Sequence, residues 1–168
     1  MTLVEIMISL AVLGVLLMVA VPNFAAWLQN QQLRAATEGS LNGLQIARAE
    51  AIRRNALVQL VMAPPATGWT VSDAASGTVL QSKVHEEGTV NAVLAVTPGG
   101  ATRVTFTPLG AVGANTDGSA AITQLDFTNP TGGSCQPGGP MRCLRVVVTG
   151  GGSLKMCDPV ATDARACP

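Results

Sequence analysis

From Met1 to Leu33 the chain carries a single charged side chain, Glu5, and the next one is Arg34. Within that stretch Ile6–Val21 reads IMISLAVLGVLLMVAV, interrupted only by Ser9 and Gly14. With its flanks the run reaches the roughly 20 residues that cross a bilayer as a helix. A surface helix of a globular protein would show a polar face, and this one shows none. A secretory signal would place basic residues ahead of the apolar run and a small-residue exit behind it. Here Pro22-Asn23-Phe24 leads straight into more helix-like sequence, so the segment reads as a retained anchor.

Glu5 conflicts with its surroundings. A carboxylate at the centre of a membrane helix costs about 2.5–3.5 kcal/mol on insertion scales, and such residues mark function by default. As a first-turn acid it gains only about 0.3–1 kcal/mol from the helix dipole. No Lys or Arg is near it in sequence. The candidate counter-charge is therefore an α-amino group, its own or a neighbour's, and a neighbour's would make Glu5 a device that sets subunit register.

Past the apolar run an amphipathic pattern takes over. Phe24, Trp27, Leu28, Leu33, Ala36, Leu41, Leu44, Ala47, Ala51 and Ile52 recur at helical spacing, with Gln, Arg and Glu between them. Glu50 and Arg54 lie four apart, a helix-supporting pair, and Asn55 ends the pattern. This predicts one helix from about Thr2 to Asn55, roughly 80 Å long at 1.5 Å per residue. Pro22 removes a backbone donor, so a kink or a locally melted stretch is expected near Gly14–Pro22.

After Asn55 come short alternating segments: Leu57–Ala63, Trp69–Ser72, Thr78–Val84, Val90–Thr97, Thr102–Thr107, Ala121–Thr128, Cys143–Thr149 and Ser153–Cys157. Turn residues such as Pro64-Pro65, Ser76-Gly77, Pro98-Gly99-Gly100 and Gly150-Gly151-Gly152 separate them. The expected fold is α+β: a long N-terminal helix, apolar then amphipathic, packed on a C-terminal β-sandwich head. Residues 1–28 would form the membrane or filament-core helix. Residues 29–168 would form the head, with the amphipathic half at 29–55 and the β-rich part at 56–168.

Composition narrows the function classes. Ten basic and ten acidic residues cancel, which gives no footprint for general nucleic-acid binding. One histidine, no tyrosine and no acidic cluster leave little for acid–base chemistry or a metal site, so the chain reads as non-enzymatic with no cofactor. His85, beside Glu86 and Glu87, reads as a charged surface turn. The cysteines, Cys135, Cys143, Cys157 and Cys167, contain no CxxC and allow three pairings. Pairing Cys135–Cys143 and Cys157–Cys167 closes two short irregular segments and is the favoured pattern; the rival joins Cys143 to Cys157 and Cys135 to Cys167.

The N-terminal residues carry a resemblance. Thr2-Leu3, Glu5, the apolar run, Gly14 and Pro22-Asn23-Phe24 resemble the mature N-terminus of the type IV pilin superfamily. The resemblance implies a prepilin peptidase that trims a leader and methylates the new amine, here on Met1 where the usual residue is Phe. It implies assembly through Glu5, Gly14 and Pro22. The helix end Ala47–Asn55, the turn Val104-Thr105-Phe106-Thr107-Pro108-Leu109-Gly110 and a C-terminal strand pair closing on a cysteine are similar to the GspH/FimT family of minor pilins and pseudopilins.

DNA-binding members of that family carry a Gly-Arg-x-Arg turn between the last two strands. The matching stretch here, Gly152-Ser153-Leu154-Lys155, lacks the first arginine and has lysine for the second. DNA is therefore not an expected partner, and any weak contact would fall to Arg142, Arg145 and Lys155. The expectation is a structural subunit of a type IV pilus or type II secretion pseudopilus, minor rather than major. Its expected partners are other subunits of a helical filament, the inner membrane before assembly, and the peptidase acting on the precursor. The head would be periplasmic before assembly, and periplasmic or extracellular in the filament. The alternatives are a major pilin, a DNA-uptake minor pilin, or a membrane-anchored periplasmic binding module that never polymerises.

Overall fold

The computed structural model of the chain describes residues 2–168, the side chains at 19, 20 and 22 excepted. Helix α1 spans Leu3–Arg54, 52 residues. Thr2 caps its start in extended backbone, and Asn55 closes it in the left-handed region at φ 51°, its N–H reaching the carbonyls of Ala51 and Ile52. Arg53 and Arg54 in the last turn and Glu5 in the first both suit the helix dipole. The helix is unbroken through Gly14–Pro22, so the melted stretch expected there is absent. A proline removes only one bond of the ladder, and the Leu, Met and Ala residues around it are strong helix formers that hold the rest.

The head is built from two antiparallel sheets. One has the order β3-β2-β1-β5-β6, from Val79–Lys83, Trp69–Asp73, Val58–Met62, Arg103–Phe106 and Val112–Gly113. The other has the order β4-β7-β8-β9, from Val93–Thr97, Gln124–Thr128, Leu144–Val148 and Leu154–Cys157. The eight segments expected from alternation each contain a strand. The two-residue strand β6 is too short for a period-two signal. Val90–Thr97 starts its strand only at Val93, because Thr89–Ala92 closes a turn through Ala92 N–H to the Thr89 carbonyl at 2.9 Å.

The amphipathic half of α1 packs on both sheets. Leu33, Ala36, Leu44, Ala47 and Ala51 are buried from the helix, against Val58, Leu60, Val71, Val104 and Phe106 of one sheet and Leu125, Phe127 and Val146 of the other. Burying each of the two phenylalanines contributes about 1.5–3 kcal/mol. Close approach is allowed where the helix is small: a Cβ on Gly43 would stand 2.8 Å from the Trp69 ring. The disulfides join Cys135 to Cys143 and Cys157 to Cys167, the pairing of sequence neighbours.

Candidate functional site

Among the described residues, the large apolar side chains of the first half of α1 are exposed. Leu3, Ile6, Leu10, Leu13, Leu17, Val21 and Phe24 are all exposed, and an added Cβ on Gly14 would meet no atom within 4 Å. The helix is long and apolar enough to cross a membrane. At its start Thr2 and Glu5 form a capping box: Thr2 Oγ1 accepts the Glu5 N–H at 3.3 Å, and Glu5 Oε2 accepts the Thr2 N–H at 3.4 Å. Glu5 is thus exposed with a local partner, and the α-amino pairing falls on Met1, which lies outside the described residues, as does its methylation. Phe24 and Trp27 stack obliquely, ring centroids 5.5 Å apart. Tryptophan is enriched where membrane helices leave the hydrocarbon core.

Just after that pair the head grips the helix. Gln29 Oε1 accepts from the side-chain amides of Asn91, at 3.2 Å, and Asn129, at 2.8 Å. Asn30 donates to the Pro140 carbonyl at 3.2 Å and accepts the Arg142 N–H at 2.8 Å. Neither residue was singled out by sequence, because a Gln-Asn pair on a helix resembles any solvated face.

At the other end of the head Arg48 Nε donates to the Gly110 carbonyl at 3.0 Å. Gly110 and Gly152 both have positive φ, 77° and 78°, and a Cβ on Gly152 would overlap the Gly110 carbonyl. The turn after Phe106 and the β8–β9 hairpin are therefore packed backbone to backbone. Arg48 lies four residues from both Leu44 and Ile52, on the edge of the apolar stripe, which is the signal that could have found it.

Each of the three basic residues named for nucleic acid has a partner within the chain. Arg145 is paired across the strands with Asp126 at 2.6 Å, Lys155 donates to the Ala166 carbonyl at 3.2 Å, and Arg142 stands 3.5 Å from Asp158. His85 differs from expectation: it is half-buried, its Nδ1 accepting the Thr67 N–H at 3.2 Å, and its carbonyl accepting from the Thr89 hydroxyl at 2.6 Å. A ring nitrogen that can hold backbone is a better use of an imidazole than exposure. Hydrogen bonds from Arg53, then Arg54, lower the Glu50 carboxyl to about 2, and Arg165 lowers Asp163 likewise to about 2. These are surface pairs on a scaffold. No group of metal-binding side chains occurs among the described residues.

The family model described as Type II transport protein GspH matches residues 36–152. Among solved structures, two crystal forms of the type IV minor pilin FimU of Pseudomonas aeruginosa (strain PAO1) share the fold. The first aligns with a TM-score of 0.57 and 14% identity over 82% of this chain and 96% of that one. The second aligns with a TM-score of 0.53 and 16% identity over 80% and 99%. A search of characterised proteins by sequence finds no match.

Proposed function

This chain belongs to the family of the type II transport protein GspH, and from that premise we propose that it is a minor subunit of a type IV pilus or secretion pseudopilus. The observation that carries the reading is the division of one continuous helix. Its second half is the spine of a folded head, while the large apolar side chains described along its first half stand exposed. Bare apolar surface on this scale needs lipid or other copies to cover it. A filament supplies the second cover once the subunit leaves the first.

In this reading the N-terminal halves pack into a filament core and the heads form the outer contacts. Glu5 supplies a charge for a neighbour's α-amino group, Gly14 admits close helix approach, and Pro22 loosens the ladder where subunits bend past one another. Met1 is the methylated residue. The fold likeness to a minor pilin favours the minor role, and the altered Gly152–Lys155 turn favours assembly over DNA uptake.

Stoichiometry in purified filaments tests this. Trace amounts, or labelling confined to one end, are expected. Abundance along the whole filament would make the chain a major pilin. Presence in membranes with absence from filaments would make it a monomeric anchored module and overturn the reading.

A further inference from the structure

A groove of about 650 Å³ opens between α1, the Cys135–Cys143 loop and the C-terminal loop closed by Cys157–Cys167. Asn30 and Arg34 line it from the helix, Arg142 and Met156 from the sheet side, and Asp158 and Arg165 from the last loop. Three arginines and one carboxylate are thus among the lining residues. We propose that this groove holds the phosphate of an anionic phospholipid headgroup while the head rests on the bilayer. The proposal rests on the membrane-anchored reading of residues 1–28.

Depth is the first argument. Trp27 lies at the membrane boundary, and Asn30 is three residues further on, about 4–5 Å along the axis. The headgroup layer on each side of a bilayer is roughly 5–8 Å thick, taking about 40–45 Å in total against a core of about 30 Å. Asn30 binds the Arg142 N–H directly, so the membrane-proximal end of the groove stands at headgroup level.

The donor count is the second. Each guanidinium has five N–H groups. Arg34 uses one side on Glu38 at 2.7 Å and Arg165 one side on Asp163 at 2.6 Å, and neither carboxylate lines the groove. Arg142 meets buried Asp158 only at 3.5 Å, longer than a good hydrogen bond, which leaves its fork unfilled. Asp158 spends one oxygen on the Val160 N–H at 3.0 Å. A phosphate oxygen accepting from two forks is the geometry that arginine serves better than lysine. Both loops are fixed by disulfides, so the donors are arranged in advance.

The test uses the full chain in nanodiscs of phosphatidylcholine alone or of an equal mixture with phosphatidylglycerol, read by hydrogen exchange. Amides at 141–143 and 164–167 are expected to exchange about tenfold more slowly in the mixed discs. The Arg34→Gln/Arg165→Gln double variant, which leaves Asp158 paired, should insert and fold normally yet lose most of that difference. Arg142→Gln should lose it completely. Equal exchange in both lipids, or protection kept in all variants, would overturn the site. So would full protection by inorganic phosphate added to phosphatidylcholine discs, since that would make it a free-anion site. A chain that fails to enter the discs overturns the anchored reading itself. Filament incorporation is scored separately: normal incorporation without lipid selectivity sinks the groove alone and leaves the filament role standing.

Discussion

Glu5 has two roles that two substitutions can separate. In the structure it completes a capping box whose two bonds, 3.3 and 3.4 Å, are long, so the cap is worth the low end of the usual range, about 0.5–1 kcal/mol. Glutamine serves at that position of a capping box as well as glutamate does. Glu5→Gln therefore keeps the cap and removes the charge, whereas Glu5→Ala removes both. If assembly places this carboxylate against a neighbour's amine in a dry core, losing it strands the amine at a cost of about 3–5 kcal/mol. At about 1.4 kcal/mol per factor of ten, incorporation should fall roughly a hundred- to several-thousand-fold for both variants. Membrane insertion should hold or improve, because each substitution makes the segment less polar. The assay is the ratio of filament-associated to membrane-associated protein in parallel strains. Failure of Ala with normal Gln would reduce Glu5 to its cap, and unchanged ratios in both would refute the ion-pair argument altogether.

Removing residues 1–28 should leave a soluble monomer that unfolds cooperatively with both disulfides intact, because the head's core begins at Leu33; aggregation on size-exclusion chromatography would show that the boundary is wrong. Gly152→Ala should destabilise that head by about 2–4 kcal/mol, from the left-handed backbone and the overlap with the Gly110 carbonyl. Its Tm should drop by roughly 6–15 °C, while Gly150→Ala and Gly151→Ala, which meet nothing, stay near the parent. Glu50 should titrate near pH 2 in the folded head rather than at the ordinary 4.5, seen by carboxyl NMR. Its folded pKa is depressed, so its small surface contribution is present above about 4.5 and lost as pH falls towards 2. Glu50→Gln should flatten the stability slope in that window.

The helix was legible because its two halves obey two different rules, uniform apolarity and then a 3.6-residue stripe, and because Asn55 is a residue that tolerates the left-handed cap. Strands were legible where one face is buried: Gln124-Leu125-Asp126-Phe127 alternates because Leu125 and Phe127 sit in the core. What sequence could not reach are contacts between distant segments. Asn30 meets the 140–142 segment and Arg48 meets Gly110, separations of about a hundred and about sixty residues that leave no local period. His85 lies in the charged surface turn that its neighbours Glu86 and Glu87 announce, but its contact with Thr67, 18 residues earlier, leaves no local signal. The pairing of basic residues with Asp126 and Asp158 was equally hidden, since a carboxylate 16 to 19 positions away is placed only by strand register and the last loop.

The helix length bears on when Glu5 becomes costly. From Glu5 to Trp27 is 22 residues, about 33 Å at 1.5 Å per residue, against a hydrocarbon core of about 30 Å. With the Phe24–Trp27 pair at one boundary, an upright helix carries Glu5 about 3 Å past the opposite one, and a tilt of up to about 20° still leaves it at the edge of the core rather than inside it. In the bilayer the carboxylate therefore stays hydrated and the capping box suffices for it. Only transfer of the helix among other apolar helices removes that water. Under the proposed filament role, the same residue would be nearly free of cost in the anchored state and would demand a cation in the assembled one. A charge placed at that depth distinguishes a neighbour in register from one displaced along the axis, because a slip by one helical turn moves the amine about 5.4 Å away. At that separation the desolvation cost remains while the Coulombic return fades. Register, rather than anchoring, is the property that a carboxylate at position 5 can select.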